Sequence, residues 1–203
     1  MKIAIIGAGN VGKALGEGWT RAGHGVVYGV RDAAKAAAEL PGAALAAPAE
    51  AARGAEVVVL TVPFAALEAT VGSLGNLTGK VVLDATNPVG AGIRTSLPPG
   101  DSGAKRVAAA APGARVVKAF NTTGFNVMAN PRFGGEAATM FVAGDDAAAK
   151  QVAGALAADL GFEPVDAGPL AQAELLEQLA MLWISMAIAH GHGRDMAFRL
   201  VKR

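Results

Sequence analysis

The chain opens Lys2-Ile3-Ala4-Ile5-Ile6-Gly7-Ala8-Gly9-Asn10-Val11-Gly12. Its first residues, with Ile3, Ile5 and Ile6 β-branched, predict a buried strand. Gly7, Gly9 and Gly12 then form G-x-G-x-x-G, and Val11–Ala22 predicts a helix rich in Ala and Gly. A lone glycine triad is a common turn. Between a strand and a helix it is the layout of a dinucleotide site. Gly7 permits the tight turn, Gly9 lets a diphosphate approach the main chain, and Gly12 lets helix and strand pack closely. Helix N–H groups from Gly9, Asn10, Val11 and Gly12 have no partner of their own in the first turn, so they are available to phosphate.

The rhythm continues beyond this unit. Strands are predicted at Lys2–Ile6, Gly25–Val30, Val57–Val62, Val81–Ala85, Arg115–Phe120, Thr139–Ala143 and Glu163–Val165. Helices are predicted at Val11–Ala22, Ala33–Leu40, Pro48–Arg53, Phe64–Ser73, Ser102–Ala111, Asp145–Leu160 and Leu170–Ala189, with a shorter one after it. Strand alternating with helix predicts an α/β, Rossmann-type, doubly wound and mostly parallel sheet with a C-terminal helical segment. The strands are continuous Val/Ile runs, so both sheet faces should be covered. We expect one domain over residues 1–203, with residues 170–203 a helical dimerisation appendage. Leu176, Leu179, Met181, Leu182, Trp183, Ile184, Met186 and Ile188 make that helix apolar almost all round, which predicts burial, part of it against a second copy.

Composition narrows the function. Net charge is +1 and no basic block occurs, so neither nucleic acid nor an anionic membrane is expected as partner. There is no cysteine, which removes disulfides, thiol catalysis and Cys-ligated metal, and fits a reducing cytoplasm. No signal-peptide layout stands at the start. His24 precedes the second strand, away from the ligand edge. His190 and His192 lack further ligands at metal spacing, so no metal site is expected.

Ligands of such sheets lie outside the carboxyl ends of the strands. There the sequence offers Gly7–Gly12, Arg31-Asp32, Thr61-Val62-Pro63-Phe64, Asp84-Ala-Thr-Asn87-Pro88 and Phe120-Asn121-Thr122. Arg31, with Lys35 one helical turn on, suits the 2′-phosphate of NADP; Asp32 is the competing signal for NAD. Asn87, Pro88, Asn121 and Thr122 are expected at the nicotinamide end, and Thr61, Val62 and Pro63 as an apolar floor. Gly124–Gly135, with Phe125, Met128 and Phe133, is a candidate lid or floor for a second ring.

With these residues in view the chain resembles the deazaflavin-dependent NADP reductase family. The resemblance runs nearly end to end. It rests on Gly7-Ala-Gly-Asn-Val-Gly12, Gly29-Val-Arg31 with Lys35, Val62-Pro63 and Asp84-Ala-Thr-Asn-Pro88. More specific are Val116-Val-Lys-Ala-Phe-Asn-Thr122 and Asp166-Ala-Gly-Pro-Leu170, with Val142-Ala-Gly-Asp-Asp146 and Leu176-Glu-Gln-Leu-Ala180 beside them. It implies NADP as cofactor and the 8-hydroxy-5-deazaflavin coenzyme, or a flavin, as second substrate. The same domain serves as the reductase module of membrane ferric reductases. Val30 departs from the family pattern, which has a Ser or Thr before the Arg.

Hydride transfer between a nicotinamide and a flavin-like ring asks for stacking and exclusion of water more than for side-chain chemistry. The sequence fits, with no Ser/His/Asp set and no Tyr-x-x-x-Lys, so no catalytic acid or base is expected. A reductase of a carbonyl or imine needs a proton donor. Lys118 is the candidate for that alternative. A third reading is a non-catalytic NADP-binding redox sensor.

Overall fold

A computed structural model describes residues 1–203. Strands are β1 (Lys2–Ile6), β2 (Gly25–Gly29), β3 (Ala44–Ala46), β4 (Val57–Leu60), β5 (Val81–Asp84), β6 (Arg115–Lys118), β7 (Arg132–Phe133), β8 (Glu136–Ala137), β9 (Thr139–Gly144) and β10 (Glu163–Gly168). Helices are α1 (Asn10–Arg21), α2 (Ala33–Glu39), α3 (Pro48–Gly54), α4 (Leu67–Ser73), α5 (Gly103–Ala110), α6 (Phe125–Ala129), α7 (Ala147–Asp159) and α8 (Ala173–Ile184). Eight strands form one sheet in the order β10-β9-β6-β5-β4-β1-β2-β3. All neighbours are parallel except β6 and β9. The doubly wound, mostly parallel sheet is therefore the fold.

Alternation along each buried strand sends side chains to two cores. Ile3, Ile5, Val57 and Val59 meet Leu15 and Trp19 of α1 and Ala149, Ala153 and Leu156 of α7. Ala4, Ile6, Val58 and Leu60 meet Ala51 of α3, Leu67 and Val71 of α4, and Val107 of α5. Helices on both faces are what the unbroken apolar strands require. Trp19 also donates from Nε1 to the Leu156 carbonyl at 2.9 Å, fixing α1 against α7.

The chain leaves β1 toward β2 on one side and returns to β4 on the other. The switch point thus falls between the carboxyl ends of β1 and β4, where a crevice forms in such sheets. There the glycine loop and Thr61–Pro63 meet.

Local expectations differ from the structure in places. The short helix expected after Ala189 is absent. Gly191 and Gly193 take φ of +73° and +76°, outside the helical region, and the chain turns back along the sheet. The Thr139 N–H donates to the Phe198 carbonyl at 3.0 Å and the Leu200 N–H to Thr139 Oγ1 at 2.9 Å. Residues 170–203 are thus helical only to Ala189, where α8 passes into a single wide turn, Ser185–Ala189. The helix expected from Asp145 begins at Ala147, because Asp146 caps it, accepting from the Ala149 N–H at 2.7 Å. The 124–135 segment contains α6, which packs on α1 with Val127 and Met128 buried.

Candidate active site

The glycine loop is built for close approach. Gly7 has φ +111°, a conformation open to glycine and strained for other residues. A Cβ at Gly12 would lie 2.3 Å from the Gly7 carbonyl oxygen and 2.9 Å from Thr61 Oγ1. Thr61 faces the loop: its hydroxyl donates to the Ile6 and Gly7 carbonyls at 3.1 and 3.0 Å. Thr61 therefore braces the turn. Val62, half-buried, and Pro63, exposed, continue along the crevice.

Gly9 caps α1 with no side chain bonded to the helix N–H groups, and a Cβ there would meet nothing within 4 Å. An uncapped helix start beside open space, carrying a partial positive charge, fits a diphosphate. At the end of β2, Arg31 and Lys35 are exposed and enter no ion pair. Asp32 is engaged otherwise: it caps α2, its Oδ1 accepting from the Lys35 N–H at 2.9 Å.

The ends of β5 and β6 meet through a reciprocal amide pair. Asn87 Nδ2 donates to the Asn121 carbonyl at 2.8 Å, and Asn121 Nδ2 to Asn87 Oδ1 at 3.0 Å. Asn121 Nδ2 also reaches the Leu176 carbonyl of α8 at 3.1 Å. Asn121 Oδ1 is buried with no partner, as are Thr123 Oγ1 and Asn126 Oδ1 nearby. Buried acceptors rarely stay unpaired, so these three make the edge a candidate for polar contact with water or a ligand. Phe120, just before Asn121, has φ +60° despite its bulk, held by edge-on packing on Trp19 at 5.5 Å. Strained backbone of this kind concentrates at functional sites. Pro88 and Thr122 are buried at the same edge.

Behind the amides lie Asp84, Lys118 and Glu177. Lys118 Nζ donates to Asp84 Oδ2 at 2.9 Å and to the Thr86 carbonyl at 2.6 Å, and contacts Glu177 Oε1 at 2.7 Å. Asp84 Oδ1 accepts from the Thr86 N–H and hydroxyl at 2.9 and 2.7 Å. Burial pushes the Glu177 carboxyl above its ordinary range, partly offset by Lys118. Glu177 was not anticipated; its i, i+3 and i+4 surroundings on α8 read as ordinary helix, and its partners are distant in sequence.

The fold and crevice define a Rossmann-type dinucleotide-binding protein. The family described as "NADP oxidoreductase coenzyme F420-dependent" matches residues 2–88. The F420-dependent NADP reductase of Methanothermobacter marburgensis is 34% identical over 212 residues, covering 93% of each protein. Metalloreductase STEAP3 of Rattus norvegicus is 30% identical over 182 residues, and the match takes in 89% of this chain but only 36% of STEAP3. A candidate F420-dependent NADP-reductase from Arthrobacter sp. FB24 superposes over the full length of both chains, with TM-score 0.89 and 33% identity. The reductive aminase of Aspergillus terreus gives TM-score 0.69 and 25% identity, covering 94% of this chain and 62% of that one. The chain belongs to the F420-dependent NADP oxidoreductase family.

Proposed function

We propose that this protein binds NADP(H) along the carboxyl edge of the sheet and transfers hydride between its nicotinamide and a deazaflavin or flavin-type acceptor. Gly7, Gly9, Asn10, Val11 and Gly12 would hold the diphosphate, and Arg31 with Lys35 the 2′-phosphate. Arg31 and Lys35 being unpaired while Asp32 caps a helix supports NADP over NAD. Asn87, Pro88, Asn121 and Thr122 would orient the nicotinamide end, where the unpaired Asn121 Oδ1 suits a carboxamide N–H donor. Thr61 supports this site through Gly7, and Val62 and Pro63 line it.

NADP supplies the hydride chemistry; this chain's residues bind, orient and exclude water. The observation that carries the choice of acceptor class is the state of Lys118. Its ammonium donates to Asp84 and to the Thr86 carbonyl and is ion-paired with Glu177, and its side chain is fully buried. A lysine so occupied is a poor acid for a carbonyl substrate, whereas hydride transfer to a flavin-like ring asks for none. The family membership supports the same reading.

The likeness to the reductive aminase keeps a second reading, reduction of an imine, open to the same test. NADPH oxidation is followed with the deazaflavin coenzyme, FMN, FAD, ferric chelates and a cyclic imine. Turnover with the deazaflavin above all others is expected. Turnover with the imine alone would replace the reading, and binding without any turnover would make the protein a redox sensor.

We further infer a homodimer through α8. Leu175, Leu182 and Ile188 are 63%, 52% and 55% exposed. Leu175 and Leu182 stand two turns apart on one helix face. Large apolar side chains aligned in this way on a free face suit a second copy of the same helix.

A further inference from the structure

Three charged side chains lie directly behind the Asn87–Asn121 pair, and the proposed hydride transfer uses none of them. Asp84 and Lys118 are fully buried and Glu177 is 2% exposed. Two carboxylates face one ammonium, so the cluster carries a charge of −1 when Glu177 is ionised and zero when it is protonated. Such an arrangement is not needed for stability, since apolar residues of equal volume serve as well or better. Uncompensated charge acts strongly here because the surroundings screen it weakly.

The cluster's position gives that charge a use. Lys118 holds the Thr86 carbonyl, one residue before Asn87. Glu177 follows Leu176, whose carbonyl accepts from Asn121. The charge therefore sits one layer below the residues assigned to the nicotinamide. The oxidised nicotinamide is a cation and the reduced ring is neutral, so a negative cluster discriminates between them. We propose that the Asp84–Lys118–Glu177 cluster sets the relative affinity for NADP⁺ and NADPH, with Glu177 as the charge-setting residue. The proposal rests on the reading of this edge as the nicotinamide site.

Glu177 is placed to exchange a proton. Glu177 stands in the wall of a cleft of about 120 Å³, with Thr95, Leu97, Pro98, Asp101 and Glu174. The groups that face it come from four elements. They are Lys118 of β6, Asp84 of β5, and the Gly103 N–H of α5 at 2.9 Å with Asp101 before it. Glu174 lies one turn back on α8. Asp101 is paired with Arg106, and Glu174 accepts from the Gly100 N–H. Gly103 permits this approach: a Cβ there would lie 3.1 Å from Glu177 Oε1. Burial raises the Glu177 carboxyl above its ordinary range, against the opposing pull of Lys118. As rising pH ionises Glu177 the cluster passes from neutral to negative, and preference moves toward NADP⁺. Reciprocally, NADP⁺ binding releases a proton that NADPH binding does not.

The test is calorimetric titration of NADP⁺ and NADPH into the wild-type protein and Glu177→Gln from about pH 4.5 to pH 9, beginning at the ordinary carboxylate range. The glutamine oxygen can keep the bonds from Lys118 and Gly103 while the charge is lost. Ionisation of the 2′-phosphate is common to both coenzymes and cancels in the ratio. The expected result is a wild-type affinity ratio that moves toward NADP⁺ by about fivefold or more with rising pH, and a flat ratio in Glu177→Gln. A purely structural latch would change both affinities together and leave the ratio alone. A ratio independent of pH in the wild type would overturn the proposal, even if the variant failed to fold. Failure of the wild type to bind either coenzyme would instead overturn the site assignment itself.

Discussion

Asn87 and Asn121 lock the ends of two neighbouring strands by exchanging amide hydrogen bonds, at 2.8 and 3.0 Å. The last main-chain bond between β5 and β6 is from the Ala119 N–H to the Asp84 carbonyl at 3.2 Å, and beyond it the two chains are free to diverge. The pair restores the connection three residues past the Asp84–Lys118 register pair and links it to α8 through Leu176. A site held this way is rigid before a ligand arrives, which lowers the ordering cost of binding.

Asn121→Ala removes the donor to both Asn87 Oδ1 and the Leu176 carbonyl. Leaving buried acceptors unpaired costs about 1–3 kcal/mol. We expect a stability loss of that size by urea unfolding, together with a raised KM for NADPH. An unchanged KM beside lowered stability would confine Asn121 to the scaffold.

Two glycines of the loop should separate folding from binding. At Gly12 a methyl group would meet main-chain oxygen at 2.3 Å, with Ile5 Cγ2 at 3.2 Å behind it. Gly12→Ala is therefore expected to lower stability by about 1–3 kcal/mol, the usual range for overpacking. At Gly9 the methyl meets nothing. Gly9→Ala should unfold within about 1 kcal/mol of wild type, since only the cap preference changes, yet lose dinucleotide affinity because the diphosphate needs that space. Thermal unfolding and fluorescence titration of both variants decide the matter. Undiminished NADPH binding by Gly9→Ala would move the diphosphate elsewhere.

Arg31→Ala should weaken NADPH binding about 10- to 100-fold while leaving NADH binding near its wild-type value. The loss corresponds to one charge-assisted contact worth about 1.5–3 kcal/mol. Lys35→Ala should do less, as an ammonium makes a single point contact where a guanidinium makes a fork. Equal losses for both coenzymes would assign Arg31 to the diphosphate or to the scaffold.

The parts of this fold legible in the sequence are those decided within a few residues of chain. A five-residue strand with three isoleucines, a glycine triad and a following helix declare themselves locally. What stayed hidden is decided by partners far away. Lys118 in an apolar strand gives no hint that Asp84 and Glu177 enclose it, 34 and 59 positions distant in the sequence. β3 is three residues of Ala-Leu-Ala whose strand character comes only from pairing with β2. α6 is a single short helix whose Val127 and Met128 gain meaning from packing against α1. The final stretch looked helical by continuation from α8, but Gly191 and Gly193 end that continuation, and Thr139 supplies its new partners.

Leu182 is the sharpest probe of the inferred dimer. It lies 52% exposed on α8, while its neighbours Met181 and Trp183 are buried in the same protomer. Trp183 is tied down by donating to the Met196 carbonyl at 2.8 Å, so the helix cannot roll to hide Leu182 without breaking that bond. Leu182→Glu therefore leaves the intramolecular core intact and should shift stability by less than about 0.5 kcal/mol, as at an exposed site, for any folded monomer. In a dimer packed on this face it would bring two carboxylates to an apolar two-fold seam. Light scattering of the wild type at micromolar concentration should give twice the mass of the chain, and the variant the single mass. A wild-type protein that scatters as a monomer would leave the apolar face for another partner.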